Sequence, residues 1–142
     1  MVTVTVPTVT VTEPAKAEQL SAADRSAIFK AAGFKPKGQK WTRCAEDPSP
    51  SHEFGRIELE DLNKDGTPEA WVIETSTFCY GNTEQAFVLL RRTASGWGIL
   101  LDEVGIGVVK PAKHNGWPDI EIGGPGFGSF PVTKFNGAKY VP

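Results

Sequence analysis

The sequence is poor in the residue types that most often carry enzyme chemistry. Its 142 residues include 2 histidines, His52 and His114, and 2 cysteines, Cys44 and Cys79. The chain lacks the H-E-x-x-H and G-x-S-x-G patterns, and its cysteines lack the C-x-x-C spacing of redox and zinc sites. We expect both histidines to be solvated loop residues. The sequence therefore predicts a protein without catalytic residues, not an enzyme.

Two further catalytic arrangements have weaker support. Glu74 and Asp119 are a candidate carboxylate pair for glycoside cleavage, and Cys79 is a candidate nucleophile beside a histidine. The sequence gives no distance between the two carboxylates, and a carboxylate on a strand is usually exposed. A disulfide to Cys44 is a simpler account of Cys79. Neither arrangement changes the expectation that the chain acts by binding.

The chain also lacks an excess of basic charge and any long apolar run. It has 15 Lys and Arg against 17 Asp and Glu, a formal net charge of −2 at pH 7. A near-neutral chain without basic runs carries no electrostatic footprint for nucleic acid or an anionic membrane surface. No apolar run approaches the ~18 residues that a membrane span needs. We predict neither a nucleic-acid partner nor a membrane span.

The two cysteines allow two interpretations. They are either a pair of buried free thiols or one disulfide, and a disulfide indicates an oxidising compartment outside the cytoplasm. A Cys44–Cys79 bridge would close a loop of about 35 residues, for which chain entropy assigns about 4 kcal/mol of stabilisation. We therefore predict the Cys44–Cys79 disulfide and a periplasmic or otherwise exported location.

Residues 1–18 and the rest of the chain have different patterns. The first segment alternates valine and threonine, is interrupted by Pro7 and Pro14, and ends in a polar stretch. We interpret residues 1–18 as a flexible N-terminal tail, and the alternative is an edge strand that pairs with another chain. Residues 19–142 are predicted to form a single domain.

The sequence predicts one helix followed by short strands with turns between them. Ser21 begins a capping-box-like segment, and apolar residues recur at helical spacing up to Gly33, which predicts one helix at about 21–32. Eight short strands separated by turn signals follow, near 54–61, 69–76, 84–92, 97–104, 106–110, 118–123, 130–135 and 138–141. The predicted fold class is α+β: one N-terminal helix packed on a mainly antiparallel β-meander of about six to eight strands.

An acidic loop between two predicted strands has the pattern of a calcium site. Oxygen-bearing residues alternate along it, with Gly66 at the position of the sharp turn, and the predicted ligands are Asp61, Asn63, Asp65, the Thr67 carbonyl and Glu69. Carboxylate, amide and carbonyl oxygens favour calcium over a softer metal. The bidentate glutamate of an EF-hand is missing, because Val72 stands at position 12. The alternative is a metal-free acidic turn whose side chains bond their own backbone.

This loop, residues 61–69, resembles the calcium loops of FG-GAP and VCBS-type β proteins. Segments 76–82 and 116–128 are similar to small bacterial envelope proteins, over about residues 20–142. Some proteins of this kind resemble periplasmic lysozyme inhibitors and act as immunity proteins against peptidoglycan-cleaving effectors. The resemblance implies a calcium-binding, non-catalytic protein that inhibits a cell-wall hydrolase, and it assigns no inhibitory loop.

Several aromatic residues beside turns suggest a contact surface. The residues predicted to contact a partner are Tyr80, Trp117, Asp119 and Phe127, and Phe78 belongs to the same aromatic group. The alternative is that these aromatic side chains belong to the hydrophobic core at the end of the sheet.

The expected partner is a protein, with a peptidoglycan hydrolase effector as the candidate. A calcium-dependent glycan-binding module or a structural envelope module is the competing function.

Overall fold

A computed structural model of the chain describes residues 20–49, 51–125 and 129–142. The predicted tail, residues 1–18, lies outside the described residues. The helices are α1 (Ala22–Ala31) and α2 (Thr77–Tyr80), and a 3-10 turn follows at Gly81–Thr83. The strands are β1 (Lys35–Lys37), β2 (Lys40–Thr42), β3 (Glu53–Glu60), β4 (Glu69–Thr75), β5 (Gln85–Thr93), β6 (Gly96–Val104), β7 (Ile106–His114), β8 (Trp117–Gly123), β9 (Val132–Phe135) and β10 (Tyr140–Val141).

The strands form three antiparallel sheets. Strands β1 and β2 make a small hairpin, the first large sheet has the order β3-β4-β5-β6, and the second has the order β7-β8-β9-β10. The α+β class is confirmed. The predicted layout of one helix on one meander needs correction, since the described residues hold a second short helix and ten strands in three sheets.

The division between the two large sheets occurs at Gly105. Its N–H donates to the Gln85 carbonyl of the first sheet (2.8 Å), and its φ of +149° lies in a region that other residues rarely adopt. A Cβ at this position would lie 2.7 Å from the Gly123 carbonyl oxygen. Glycine therefore lets β6 end in one sheet and β7 begin in the next after a single residue.

The middle strands of the first large sheet, β4 and β5, are largely buried on both faces. Helix α1 packs on one face, where Phe29 shares a core with Val88 and Leu90, and the second large sheet packs on the other, where Trp117 shares a core with Phe87 and Leu89. Because side chains alternate along a strand, β5 supplies both cores from consecutive residues. This explains its unbroken apolar run, which is typical of a strand covered on both sides.

Helix α1 follows its sequence signals closely. The Ser21 side chain accepts the Asp24 N–H (3.0 Å) as the N-cap, and Gly33 follows the helix with a positive φ of +84°. The predicted bounds of 21–32 agree with the observed helix within one residue at each end. No helix among the described residues is both long and apolar enough to cross a membrane.

The hairpin β1–β2 was not predicted. Gly38 turns it with a φ of +63°, and its exposed residues include three lysines and Pro36. Its contribution to packing is Trp41, whose ring stacks on Phe29 with centroids 5.3 Å apart. This places the hairpin beside α1 and sets the start of the loop that leads to Cys44.

Candidate functional site: an acidic loop and a buried carboxylate

The acidic loop connects β3 to β4 and brings three carboxylates together. One carboxylate oxygen from each of Asp61, Asp65 and Glu69 lies within 4.8 Å of the other two. The loop wraps around Asp61, whose Oδ1 accepts the Asp65 N–H (3.3 Å) and whose Oδ2 accepts the Gly66 N–H (2.9 Å). Gly66 has the positive φ, +91°, that a sharp reversal requires.

Asn63 and Thr67 complete the predicted ligand set. The Asn63 amide donates to Asp65 Oδ2 (3.2 Å), and the Thr67 N–H donates to Asp65 Oδ1 (2.9 Å). The Asn63 amide oxygen is buried and accepts no hydrogen bond from the described residues. A bound cation would satisfy this oxygen, whereas a metal-free turn explains only the backbone hydrogen bonds.

Glu69 is the buried member of this group. Its side chain accepts the Leu62 N–H (2.7 Å), and the residue is 3% exposed. Burial raises the pKa of Glu69 to about 7; the hydrogen bond from Leu62 lowers it and the charges of Asp65 and Asp61 raise it further. Three carboxylates this close repel one another, so the loop favours a positive charge between them.

A second group of potential ligands has a different explanation. Cys44, Glu46 and Cys79 also lie close together, but the two sulfurs form a disulfide with Cα atoms 6.1 Å apart. Since a thiolate is the ligand form of cysteine, the bonded sulfurs do not serve as metal ligands. The bridge joins the loop after β2 to α2, which confirms the predicted disulfide.

Glu74 is fully buried, contrary to the expectation that a strand carboxylate is exposed. It accepts hydrogen bonds from the Thr42 hydroxyl, the Arg43 N–H (3.1 Å) and the Tyr80 hydroxyl (2.8 Å), and His52 Nε2 lies 2.8 Å from its Oε2. His52 is likewise buried, so the expectation of a solvated loop residue was wrong. This pair fastens the loop before β3 to the end of β4.

A second buried group extends this network to the disulfide. The Ser76 hydroxyl donates to Asp47 Oδ2 (2.8 Å) and accepts the Cys79 N–H (3.0 Å). The Asp47 carboxylate also accepts the Ser49 N–H (2.7 Å). The pKa of the Asp47 carboxyl is lowered below 3.8. The hydrogen bond from Ser49 lowers this pKa most, burial raises it, and the hydrogen bond from Ser76 lowers it further. The hydrogen-bonded network therefore reaches the disulfide, in which Cys44 is buried and Cys79 is exposed.

Two of the four predicted contact residues are buried. Trp117 is 5% exposed and stacks on Phe135 with centroids 4.6 Å apart; Asp119 is 3% exposed and lies 2.7 Å from His114 Nδ1. Their expected exposure is corrected, because the second sheet turns both side chains inward. Tyr80 is half-buried by its bond to Glu74, and Phe127 lies outside the described residues.

The exposed apolar side chains lie elsewhere. Phe78, on α2 beside the disulfide, is 62% exposed, and Ile106 and Val108 of β7 are exposed on the second sheet. Sequence reasoning missed the β7 residues, because an Ile-Gly-Val-Val run is typical of a core strand. The signal available was the pair Lys110 and Pro111, since lysine and proline are common on the edge strands of sheets.

A cavity of about 670 Å³ borders the acidic loop. Asp65 and Thr67 line one side, Arg91 and Arg92 of β5 line another, and exposed Ile99 of β6 also lines it. The charge of Arg91 acts on Glu69 of the loop, whereas the Arg92 guanidinium pairs with Asp24 (3.4 Å) and lies over the Trp97 ring.

Comparison of the chain with protein-family models, with curated proteins and with solved structures gave no match. The resemblance to calcium-loop envelope proteins therefore stays a prediction.

Proposed function

We propose that this chain is an exported calcium-binding protein that acts by binding another protein, a lysozyme-like cell-wall hydrolase, and inhibits it as an immunity protein. The observation that carries the calcium assignment is the loop after β3. There Asp61, Asp65 and Glu69 bring carboxylate oxygens within 4.8 Å of one another, and Asn63 of the same loop has a buried amide oxygen with no donor among the described residues. The choice of partner rests on the sequence resemblance.

Calcium fits the loop better than a softer metal, because the donors are carboxylate and amide oxygens. Asp61, Asn63, Asp65 and Glu69 would hold the ion, with the Thr67 carbonyl as a further ligand. Val72, where an EF-hand has its bidentate glutamate, is buried in β4. We expect weak affinity, on the order of 10⁻⁴–10⁻³ M, and a role in holding the β3–β4 connection rigid.

A non-catalytic role is supported by how the buried titratable groups are used. Glu74 receives three protein donors besides His52, which leaves it no free position for a substrate proton. Neither Glu74 nor His52 lines the cavity beside the acidic loop. The disulfide is compatible with export, since such bonds persist mainly in oxidising compartments.

Calorimetric titration with calcium tests the loop. We expect binding to the parent chain, loss of binding in Asp65→Ala, and unchanged binding in Glu103→Ala, which removes an exposed carboxylate from β6. Equal calcium binding by Asp65→Ala and the parent would overturn the calcium assignment.

Inhibition is tested separately with a panel of purified lysozymes and peptidoglycan-cleaving effectors. Each enzyme is assayed on a cell-wall suspension with a rising concentration of the protein, in calcium and in chelator. A titration that ends at one protein per enzyme supports inhibition, and its weakening in chelator ties the contact to the loop. Full activity of every enzyme at excess protein would contradict the immunity role.

The cavity beside the loop favours one alternative, a calcium-dependent glycan-binding module. Arg91 and Thr67 line this cavity beside Asp65, one of the predicted calcium ligands, an arrangement suited to an acidic sugar. In this case cell-wall fragments alone would bind in calcium, free sugar would compete, and no hydrolase would be inhibited.

A further inference from the structure

Strand β7 has an unpaired edge. It is the terminal strand of the second large sheet and pairs with β8 alone among the described residues. A strand at the edge of a sheet presents unpaired backbone donors and acceptors that a further strand can use. This edge is therefore a potential interaction surface.

The hydrogen-bonding pattern shows which residues of β7 face that edge. The Ile122 N–H donates to the Pro131 carbonyl (2.8 Å), so the backbone groups of Ile122 point away from β7. Gly107 is directly opposite Ile122, and Val109 is directly opposite Ile120. These are non-hydrogen-bonded pairs, and the N–H and C=O groups of Gly107 and Val109 consequently point to the free edge.

A groove of about 210 Å³ runs beside these groups. Gly107 and Val109 form one wall, and Trp71, Ile73 and Phe87 of the first sheet also line it. A Cβ at Gly107 would lie 2.6 Å from the Trp71 ring, so glycine permits β7 to lie this close to the first sheet. The groove exists because the second sheet stops before it covers β3.

The opposite wall of the groove is acidic. Glu58 and Glu60 of β3 line it; Glu58 is paired with exposed Arg56 (3.0 Å) and Glu60 accepts the Trp71 indole N–H (3.0 Å), so the two glutamates outnumber the one arginine beside them. On the other face of β7, exposed Ile106 and Val108 border the edge. A strand added here would turn alternate side chains toward the glutamates and toward these apolar residues.

We propose that the free edge of β7 accepts an extended peptide segment of a protein partner as a fifth strand of the second sheet. The segment alternates basic residues, which reach Glu58 and Glu60, with β-branched apolar residues, which lie beside Ile106 and Val108. The long stems of lysine or arginine cover Trp71 and Ile73 while their charges reach the carboxylates. Pro111 ends the pairing, because it has no N–H to offer.

A second copy of this chain fits the groove less well. Its own β7 would present Gly107 and Val109 to the groove, and neither carries a charge to meet Glu58 and Glu60. This inference deepens the proposed function, because it places the protein partner on β7. It does not depend on the ion, so the two proposals fail separately.

The test uses the full chain and two synthetic peptides, acetyl-Lys-Val-Lys-Val-Lys-Val-amide and its counterpart with glutamate in place of lysine. Binding is measured by calorimetry in calcium and in chelator, and amide exchange is followed at Gly107 and Val109. The basic peptide is expected to bind under both conditions and to slow exchange at these two amides. The acidic peptide is expected not to bind.

Two variants separate the backbone contact from the side-chain contact. Val109→Pro removes an outward N–H while keeping the bond pattern to β8, and should weaken binding about tenfold. Val109→Ala keeps the N–H and should weaken binding less than Val109→Pro does. Glu58→Gln with Glu60→Gln should weaken binding of the basic peptide. Four outcomes would each overturn the proposal: equal binding of both peptides, unchanged peptide binding by Val109→Pro, no binding at millimolar peptide, or a dimer of the chain formed through β7.

Discussion

At the level of single residues, the greatest sensitivity is expected at Glu74. Its carboxylate is fully buried and accepts from Thr42, Arg43 and Tyr80 beside His52. Glu74→Gln places amide hydrogens against these donors and should lower the free energy of unfolding by about 3 kcal/mol, measured by urea denaturation.

Tyr80→Phe is the matched control for this prediction, since it removes one donor and leaves the carboxylate in place. We expect Tyr80→Phe to lower the free energy of unfolding by about 1 kcal/mol. If Glu74→Gln is no more destabilising than Tyr80→Phe, the buried carboxylate does not organise this region.

Asp47 provides a prediction about pH. Its hydrogen bonds from Ser49 and Ser76 lower its pKa below 3.8 in the folded protein, so the folded state favours the ionised form. The resulting stabilisation is complete above the unfolded pKa and is lost as pH falls through the folded pKa. The parent should therefore exceed Asp47→Asn in unfolding free energy at neutral pH, and the difference should shrink below about pH 4. A difference that is independent of pH would contradict this ionisation.

At the level of elements, the disulfide joins two segments that have little other regular structure. It closes a separation of 35 residues between the loop after β2 and the four-residue helix α2. Cys44→Ala and Cys79→Ala should each lower the unfolding free energy by about 4 kcal/mol, and the double variant should lose no more than either. Reduction of the parent in urea is the control. Clearly additive losses would show that the two residues act separately.

Individual elements also show how far the sequence could predict the structure. Helix α1 and all eight predicted strands were located within a few residues, because caps, turns and alternation are local signals. The hairpin β1–β2 and α2 were missed: lysines and Pro36 obscured the first, and the second has only four residues. The burial of Glu74 and Trp117 was missed because it depends on neighbours distant in the chain. In the acidic loop, the spacing of oxygens anticipated the clustering of Asp61, Asp65 and Glu69.

At the level of the whole molecule, β5 couples the two cores. It lies inside the first sheet between β4 and β6, and Val88 and Leu89 are both fully buried on its opposite faces. Val88 belongs to the core under α1, and Leu89 belongs to the core between the sheets. Loss of either core would expose one face of the same strand, so we expect the described layers to unfold as one cooperative unit.

Substitutions at these adjacent positions test that coupling. Leu89→Ala should lower the unfolding free energy by about 3 kcal/mol and Val88→Ala by about 2 kcal/mol, because each leaves a cavity in a packed core. Far-UV circular dichroism and tryptophan fluorescence should give coincident urea transitions for the parent and both variants. Trp41 reports the helix side, and Trp71 and Trp117 report the space between the sheets. A fluorescence transition that separates from the dichroism transition in one variant would show that the layers unfold independently.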